Sequence, residues 1–344
     1  MRSFSLLLVC AGFIGAQSPR SDDISVAPVP ADPHELVTGT ARFASSPQDR
    51  SAAMALLERA RQNGDLHMPG GSPFTLKVAI SVAGGSQTGT GQVSETWLSG
   101  RQWRYDQTLG SYSETRVSVG GQIFEKHSNF TPMVVQMVRS SLFWPVGGNP
   151  SVNTMRTAQA SWNGKPVTAI LISGSTDATP PGRHWAETEY VVDDNTGLLQ
   201  IYSRAPGTFA LYGYTQGLQF HGRSMPDRIT IFVGGVQTVD AQLLSIADPN
   251  SADTATLQTG AGMQRTAMVP MNQRFPLFAH DPTNSGLIKP VVVHVTVDDQ
   301  GQVVESEVSA AADPALVDQA VALVKSSKFS ASRMDAYVAV RFRP

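Results

Sequence analysis

The chain has 344 residues and a formal net charge of −2, with 26 Lys and Arg against 28 Asp and Glu. That balance excludes the basic surface on which nucleic acid or an anionic membrane is held. Charged residues are only 16% of the total, and the 30 glycines with abundant Ser, Thr, Gln and Val favour strands and turns over long helices.

Residues 1–17 read as an export signal. Arg2 supplies positive charge, Phe4 to Ala16 form an apolar run ending in small residues, and Gln17-Ser-Pro-Arg20 is a polar break. The run is shorter than the roughly 20 residues that a spanning helix needs, and no later stretch is long and apolar enough to cross a bilayer. Retention as an uncleaved anchor is the alternative. The one cysteine, Cys10, lies inside this segment, and Val9 stands where a lipoprotein signal wants a small residue. Cleavage therefore leaves no thiol for disulfides, nucleophiles or metal. A soluble protein of the periplasm or outer envelope is expected. Residues 18–44, rich in Pro, Asp, Ser and Ala, read as a flexible tether.

The remaining length exceeds what one small core needs, so two domains are expected, at 45–250 and 286–344. The first opens with a helix: Ser46-Pro47 is a start signal, Ala53, Leu56, Leu57 and Ala60 share a face, and Gly64 is a stop. From Phe74 the period changes to two, with Phe74, Leu76, Val78, Ile80 and Val82 on one side, and Gly84-Gly85-Ser86 breaks the run. Further strands are expected at 92–98, 102–107, 114–119, 122–126, 168–173, 187–192, 198–203, 210–214, 228–233 and 237–243. Between them stand turn signals such as Gly120-Gly121, Asp193-Asp-Asn-Thr-Gly197 and Gly234-Gly235. So many short strands imply an antiparallel sheet curling toward a half-barrel. One helix interrupts them: Thr131-Pro132 caps it, and Val134, Val135, Val138 and Leu142 form its apolar face. A lone apolar helix among strands must cover something, and the concave side of the sheet, which it would plug, is the natural place.

Residues 251–285 lose periodicity and read as a linker with docked portions such as Phe275-Pro-Leu-Phe278. In the last segment Pro290–Val297 is a strand, Asp298-Asp-Gln-Gly301 a turn and Val303–Ser309 a second strand. Asp313-Pro314 then caps a helix with Leu316, Ala320, Leu323 and Val324 on one stripe, and Ala336–Arg343 closes a ββαβ unit.

This tail, about 287–344, resembles the C-terminal domain of TonB, through the Asp-x-x-Gly turn, the Leu316…Asp318-Gln-Ala320 helix, Lys328-Phe329 and the alternating last strand. The resemblance implies a docking edge at Tyr337, Val338, Ala339, Val340, Arg341, Phe342 and Arg343, where a peptide of an outer-membrane receptor or envelope protein would add as a strand. The chain departs from the family in having Phe275-Pro276 in place of Tyr-Pro, and a cleavable-looking signal in place of a membrane anchor and spacer. The alternative reading of the edge is a strand blunted by Arg341 and Arg343.

The larger domain resembles the periplasmic carrier class typified by LolA and RseB. The residues that carry this are Trp97…Arg101-Gln-Trp103-Arg104-Tyr105, Trp162-Asn-Gly-Lys-Pro166, Tyr190-Val-Val-Asp193…Gly197-Leu198 and Gly222-Arg-Ser-Met-Pro226. That class implies a half-closed barrel with a helix in its mouth and an apolar hollow for a lipid or lipoprotein acyl chain. A sheet of this type followed by a TonB-like tail resembles a set of acidobacterial envelope proteins.

No motif for chemistry stands out. The 7 histidines are dispersed, without metal-ligand spacing, and no cofactor is implied. Gly84-Gly-Ser86-Gln-Thr88 fails the nucleophile-elbow pattern, and Gly89-Thr-Gly91 fails the dinucleotide fingerprint. Glu95, Glu125, Glu187 and Glu189 would make a hydrolase only by converging in a cleft, and they read instead as solvated strand faces. The expectation is a non-enzymatic envelope binding protein, with a TonB-type energy transducer and an envelope hydrolase as alternatives.

Overall fold

A computed structural model describes residues 46–83, 88–128, 131–143, 145–146, 154–173, 187–205, 207–265, 274–283, 289–298, 300–329 and 334–343. The export signal, the tether, the Gly84–Ser86 break, Trp144 and Trp185 lie outside the described residues.

Helix α1 (Pro47–Gly64) begins where the sequence directs it. The Ser46 hydroxyl accepts from the Asp49 N–H, the Asp49 carboxylate accepts from the Ser46 N–H, and Pro47 occupies the first turn. Ala53, Leu56, Leu57 and Ala60 are its buried face. Five antiparallel strands follow as a meander, β1 (Phe74–Val82), β2 (Gly89–Ser99), β3 (Gln102–Leu109), β4 (Tyr112–Val119) and β5 (Gln122–His127). After helix α2 (Met133–Phe143) come β6 (Thr154–Trp162), β7 (Lys165–Ser173), β8 (Thr188–Asp193), β9 (Leu199–Ala205) and β10 (Thr208–Gly213). A two-strand ribbon, β11 (Gln219–Phe220) with β12 (Arg223–Ser224), precedes β13 (Arg228–Val233) and β14 (Val236–Ala247).

Strand β14 returns to pair with β1, so the two meanders merge into one 13-stranded sheet. Alternation puts Phe74, Leu76, Val78, Ile80 and Val82 on its inner face, as the period of two requires. Inner residues from strands far apart in that order, among them Val93 on β2, Ile170 on β7 and Val192 on β8, join α1 and α2 in one apolar cluster. Only a curled sheet brings them together, and an open sheet of this width curls rather than lies flat.

The stretch expected to be a linker is built into both sheets. Helix α3 (Ser251–Ala255) carries its own capping box, β15 (Gln264–Arg265) pairs with β5, and β16 (Arg274–His280) joins the tail. In the tail are β17 (Lys289–Val297), β18 (Val303–Ala311), a 3₁₀ turn at Pro314–Leu316, α4 (Val317–Ser326) and β19 (Met334–Arg343). These strands form a four-stranded sheet in the order β16-β19-β17-β18. Strand β17 is buried on both faces, which its near-continuous valines already suggest. Val291, Val293, Val295 and Val297 pack with Leu316, Ala320 and Val324, whereas Val292 clusters with Ala310 and Tyr337 on the other face.

That second face meets the large sheet. The hydroxyls of Thr208 and Ser309 hydrogen-bond, the Arg204 guanidinium lies 5.4 Å from the centre of the Tyr337 ring, and β17 touches α2. At Gly207 (φ +75°) a Cβ would overlap that of Ala310, so the β9–β10 turn needs glycine both for its backbone and for this approach.

Candidate functional site

Helix α2 occupies the concave side of the curled sheet. Val134, Val135 and Val138 are buried as the apolar face requires, and Leu142 is half-buried against the same cluster. Met133, Met137, Arg139, Ser141 and Phe143 are buried too. The helix is enclosed nearly all round because sheet strands β13 and β14 take one side and β17 of the tail another. The Tyr212 hydroxyl donates to the Ser141 carbonyl at 2.9 Å, and burial raises that phenol's pKa well above the usual range.

A cavity beside the helix end is lined by Ala60, Leu66, Leu142, Tyr212, Met225 and Ile229 among others, and measures about 30 Å³. This is about the room of one water, against the roughly 300–1,000 Å³ of a ligand pocket. Of the four helix residues expected to face a hollow, Leu142 lines this cavity and the three valines do not.

The wall formed by β2–β5 carries charge inside. His67, in the connector after α1, places Nε2 3.0 and 3.1 Å from the two Glu95 carboxylate oxygens. Arg116 forms ion pairs with Glu114 and, at 3.5 Å, with Glu125. Burial pushes the Arg116 pKa down, but the two carboxylates outweigh it and hold the guanidinium above its usual range. Arg139 of α2 sits 4.7 Å from the centre of the Tyr105 ring, its pKa lowered by burial and then by Arg116. Burial raises the Tyr105 pKa well above normal. Gln107, 1% exposed, accepts from the Tyr105 hydroxyl and has no partner for its Nε2 among the described residues.

The glutamates therefore differ from the sequence reading. Glu95, Glu125, Glu187 and Glu189 are buried, not solvated. Glu95 and Glu125 share the inner strand face, beside His67 and Arg116, whereas Glu187 and Glu189 fall on the face opposite the core residues Tyr190 and Val192, where Arg156 bonds Glu187 at 2.9 and 2.6 Å. Glu114 and Glu125 converge on Arg116 in the interior.

The expected docking edge is corrected by the register. Tyr337 to Arg343 pair antiparallel with β17 on one side and parallel with Arg274 to His280 of β16 on the other. Strand β19 is interior, with both rows of backbone groups already in ladders, and Arg341 is 2% exposed rather than an edge-blunting charge. The chain's own Phe275-Pro276 segment occupies the edge. Nothing in the last strand marks this, because the pairing partner lies some sixty residues earlier in a stretch without alternation.

On the convex face, an open groove of about 550 Å³ runs between β1–β3 and the α3 segment. Thr75, Lys77, Ser94, Thr96 and Arg104 form its floor, with Asp253 and Thr256 above. Sequence periodicity gave no sign of it, since the roof comes from the supposed linker. Among the described residues no cluster of His, Cys, Asp and Glu has a geometry that would hold a metal ion.

Fold and site define a mainly β protein built on a curled, unclosed antiparallel sheet with a helix in its concavity. No family model and no curated protein matches the chain. Among solved structures it is similar to a LolA superfamily protein from Nitrosomonas europaea, at 9% identity and a TM-score of 0.38, covering 58% of this chain and 94% of the other. It is also similar to a domain of lipoprotein-sorting type from Vibrio parahaemolyticus, at 10% identity and 0.35, covering 59% and 97%. The Pseudomonas aeruginosa MucA/MucB complex follows at 16% identity and 0.27, covering 64% of each chain. At these scores the likenesses carry no functional argument.

Proposed function

We propose that this chain is a non-enzymatic binding protein of the bacterial cell envelope, and that its curled sheet takes a lipophilic ligand in the place now held by α2. The observation that carries this is the seat of α2 itself: an 11-residue, mostly apolar helix in an apolar interior, with about 30 Å³ left beside it. A sheet of this curvature has to be filled, and the helix fills it with the same chemistry as an acyl chain. Ligand entry therefore requires α2 to move. The tail, which backs α2 through β17, belongs to the closed form.

A titration with a lipophilic dye tests the reading. Saturable binding is expected, and Phe143→Ala, which loosens the helix end, is expected to tighten it. Absence of saturable binding in both proteins overturns it. A second reading, a polar ligand in the 550 Å³ convex groove, is favoured by the hydroxyls and the charges of both signs there. Binding of such a ligand would respond to Lys77→Ala and be indifferent to Phe143→Ala.

A further inference from the structure

The seat of α2 differs from one side to the other. On one side the helix lies against β13 and β14, whose inner residues Ile231, Val239 and Leu243 belong to the apolar core. On the other, the wall of β3 and β4 presents Gln107, Glu114 and Arg116.

Gln107 stands where α2 crosses that wall. Tyr105, Gln107 and Leu109 alternate onto one face of β3, and the register sets them across from Arg116, Glu114 and Tyr112 of β4. The head of α2 reaches the wall at Tyr112, whose hydroxyl donates to that of Thr131 at 3.0 Å. Its second half reaches the wall at Tyr105, whose ring meets Phe143 at 6.0 Å and Arg139 at 4.7 Å. Gln107 lies between these two contacts, beneath the helix.

The Gln107 amide is half satisfied. Its Oε1 accepts from the Tyr105 hydroxyl, which orients the amide, whereas the Nε2 of this 1% exposed side chain donates to nothing among the described residues. A buried donor without an acceptor carries its full desolvation penalty, and an oxygen brought to it recovers that penalty.

We propose that Gln107 is the headgroup subsite of the hollow, and that the ligand is an acyl chain bearing a neutral ester. The ester carbonyl accepts from the Gln107 Nε2 while the hydrocarbon lies along β13 and β14. The inference rests on reading α2 as a displaceable plug, and it names the ligand class for that seat.

The free donor selects the headgroup. A carbonyl oxygen needs one donor in a dry interior, and Gln107 provides it. A carboxylate needs a cation or several donors. The Arg116 guanidinium is already shared by Glu114 and Glu125, and Arg139 leaves with the helix that carries it. A bare hydrocarbon would leave the Nε2 as unsatisfied as α2 does.

Gln107→Met keeps the bulk and removes the donor. Methyl dodecanoate and tetradecane, an alkane of the same chain length, are compared on both proteins in competition with a lipophilic dye. The substitution is expected to weaken the ester roughly tenfold and to leave tetradecane unchanged. An ester affinity that holds, or that falls together with that of tetradecane, overturns the proposal. A readout in the unaltered protein covers a variant that fails to fold. The infrared stretch of a methyl dodecanoate labelled with carbon-13 at its carbonyl should lie, when bound, below its position in hexane, and a bound stretch at the hexane position overturns the proposal as well. Should both ligands displace the dye while the substitution treats them alike, the displaceable plug stands and the ester subsite falls. Should neither displace it, the plug reading fails and the subsite with it.

Discussion

At the scale of single residues, the buried charges and the forced glycines give the sharpest expectations. Arg116→Met leaves Glu114 and Glu125 facing each other inside the sheet, and breaking a buried pair in this way costs about 3–5 kcal/mol. Urea denaturation of the variant should show a loss of that size. Gly301, at φ +79°, closes the β17–β18 turn, where a Cβ would overlap the Phe329 carbonyl, and Phe329 in turn donates to the Gly301 carbonyl at 2.9 Å. Gly301→Ala should therefore destabilise the fold by at least about 1–3 kcal/mol, measured in the same way. Turn residues were legible in the sequence because their bonds are local. Asp193 accepts from the Asn195 and Thr196 N–H groups, and Asp298 from those of Gln300 and Gln302. The glutamates were not, because what makes a buried carboxylate tolerable is a hydrogen-bonding partner on another segment. His67 stands 28 residues before Glu95, and Arg156 stands 31 before Glu187.

At the scale of elements, legibility follows the strength of the pattern. The helices α1 and α2 and the strands with clear alternation sit where their periods put them, within a few residues at the ends. Strand β6 reads Thr-Met-Arg-Thr-Ala-Gln-Ala-Ser-Trp, too polar and small to alternate, and it forms because β7 offers nine consecutive register partners. Strand β16 likewise is a strand only because β19 pairs with it. One consequence is testable: amides of Tyr337 to Arg343 should be among the slowest to exchange in the tail, as ladders on both sides require. Rapid exchange along that strand would mean that the edge is open after all. The helix α2 has its own test. Phe143 is fully buried among rings, so Phe143→Ala should cost about 3–5 kcal/mol, with the loss concentrated in α2 protection rather than in β1.

For the whole molecule, the two sheets share an interface that the sequence did not announce. Its effect on pH stability can be worked out. Burial, and then Arg204, hold the His294 pKa down from its ordinary 6.5 to about 3. Between those values the unfolded chain takes up a proton that the folded one refuses. Stability is therefore complete above about pH 6.5 and is lost as the pH falls toward about 3. Denaturation midpoints should drop over that range, and His294→Phe should flatten part of the slope.

The displaceable plug is tested most directly by a photoactivatable fatty-acid probe, with its attachment sites mapped by mass spectrometry. Labels should fall on residues around the helix seat, such as Leu76, Leu142, Tyr212 and Met225, and unlabelled fatty acid should suppress them. Labels confined to the convex surface, or none that unlabelled fatty acid suppresses, would contradict the assignment of the concave face as the binding site.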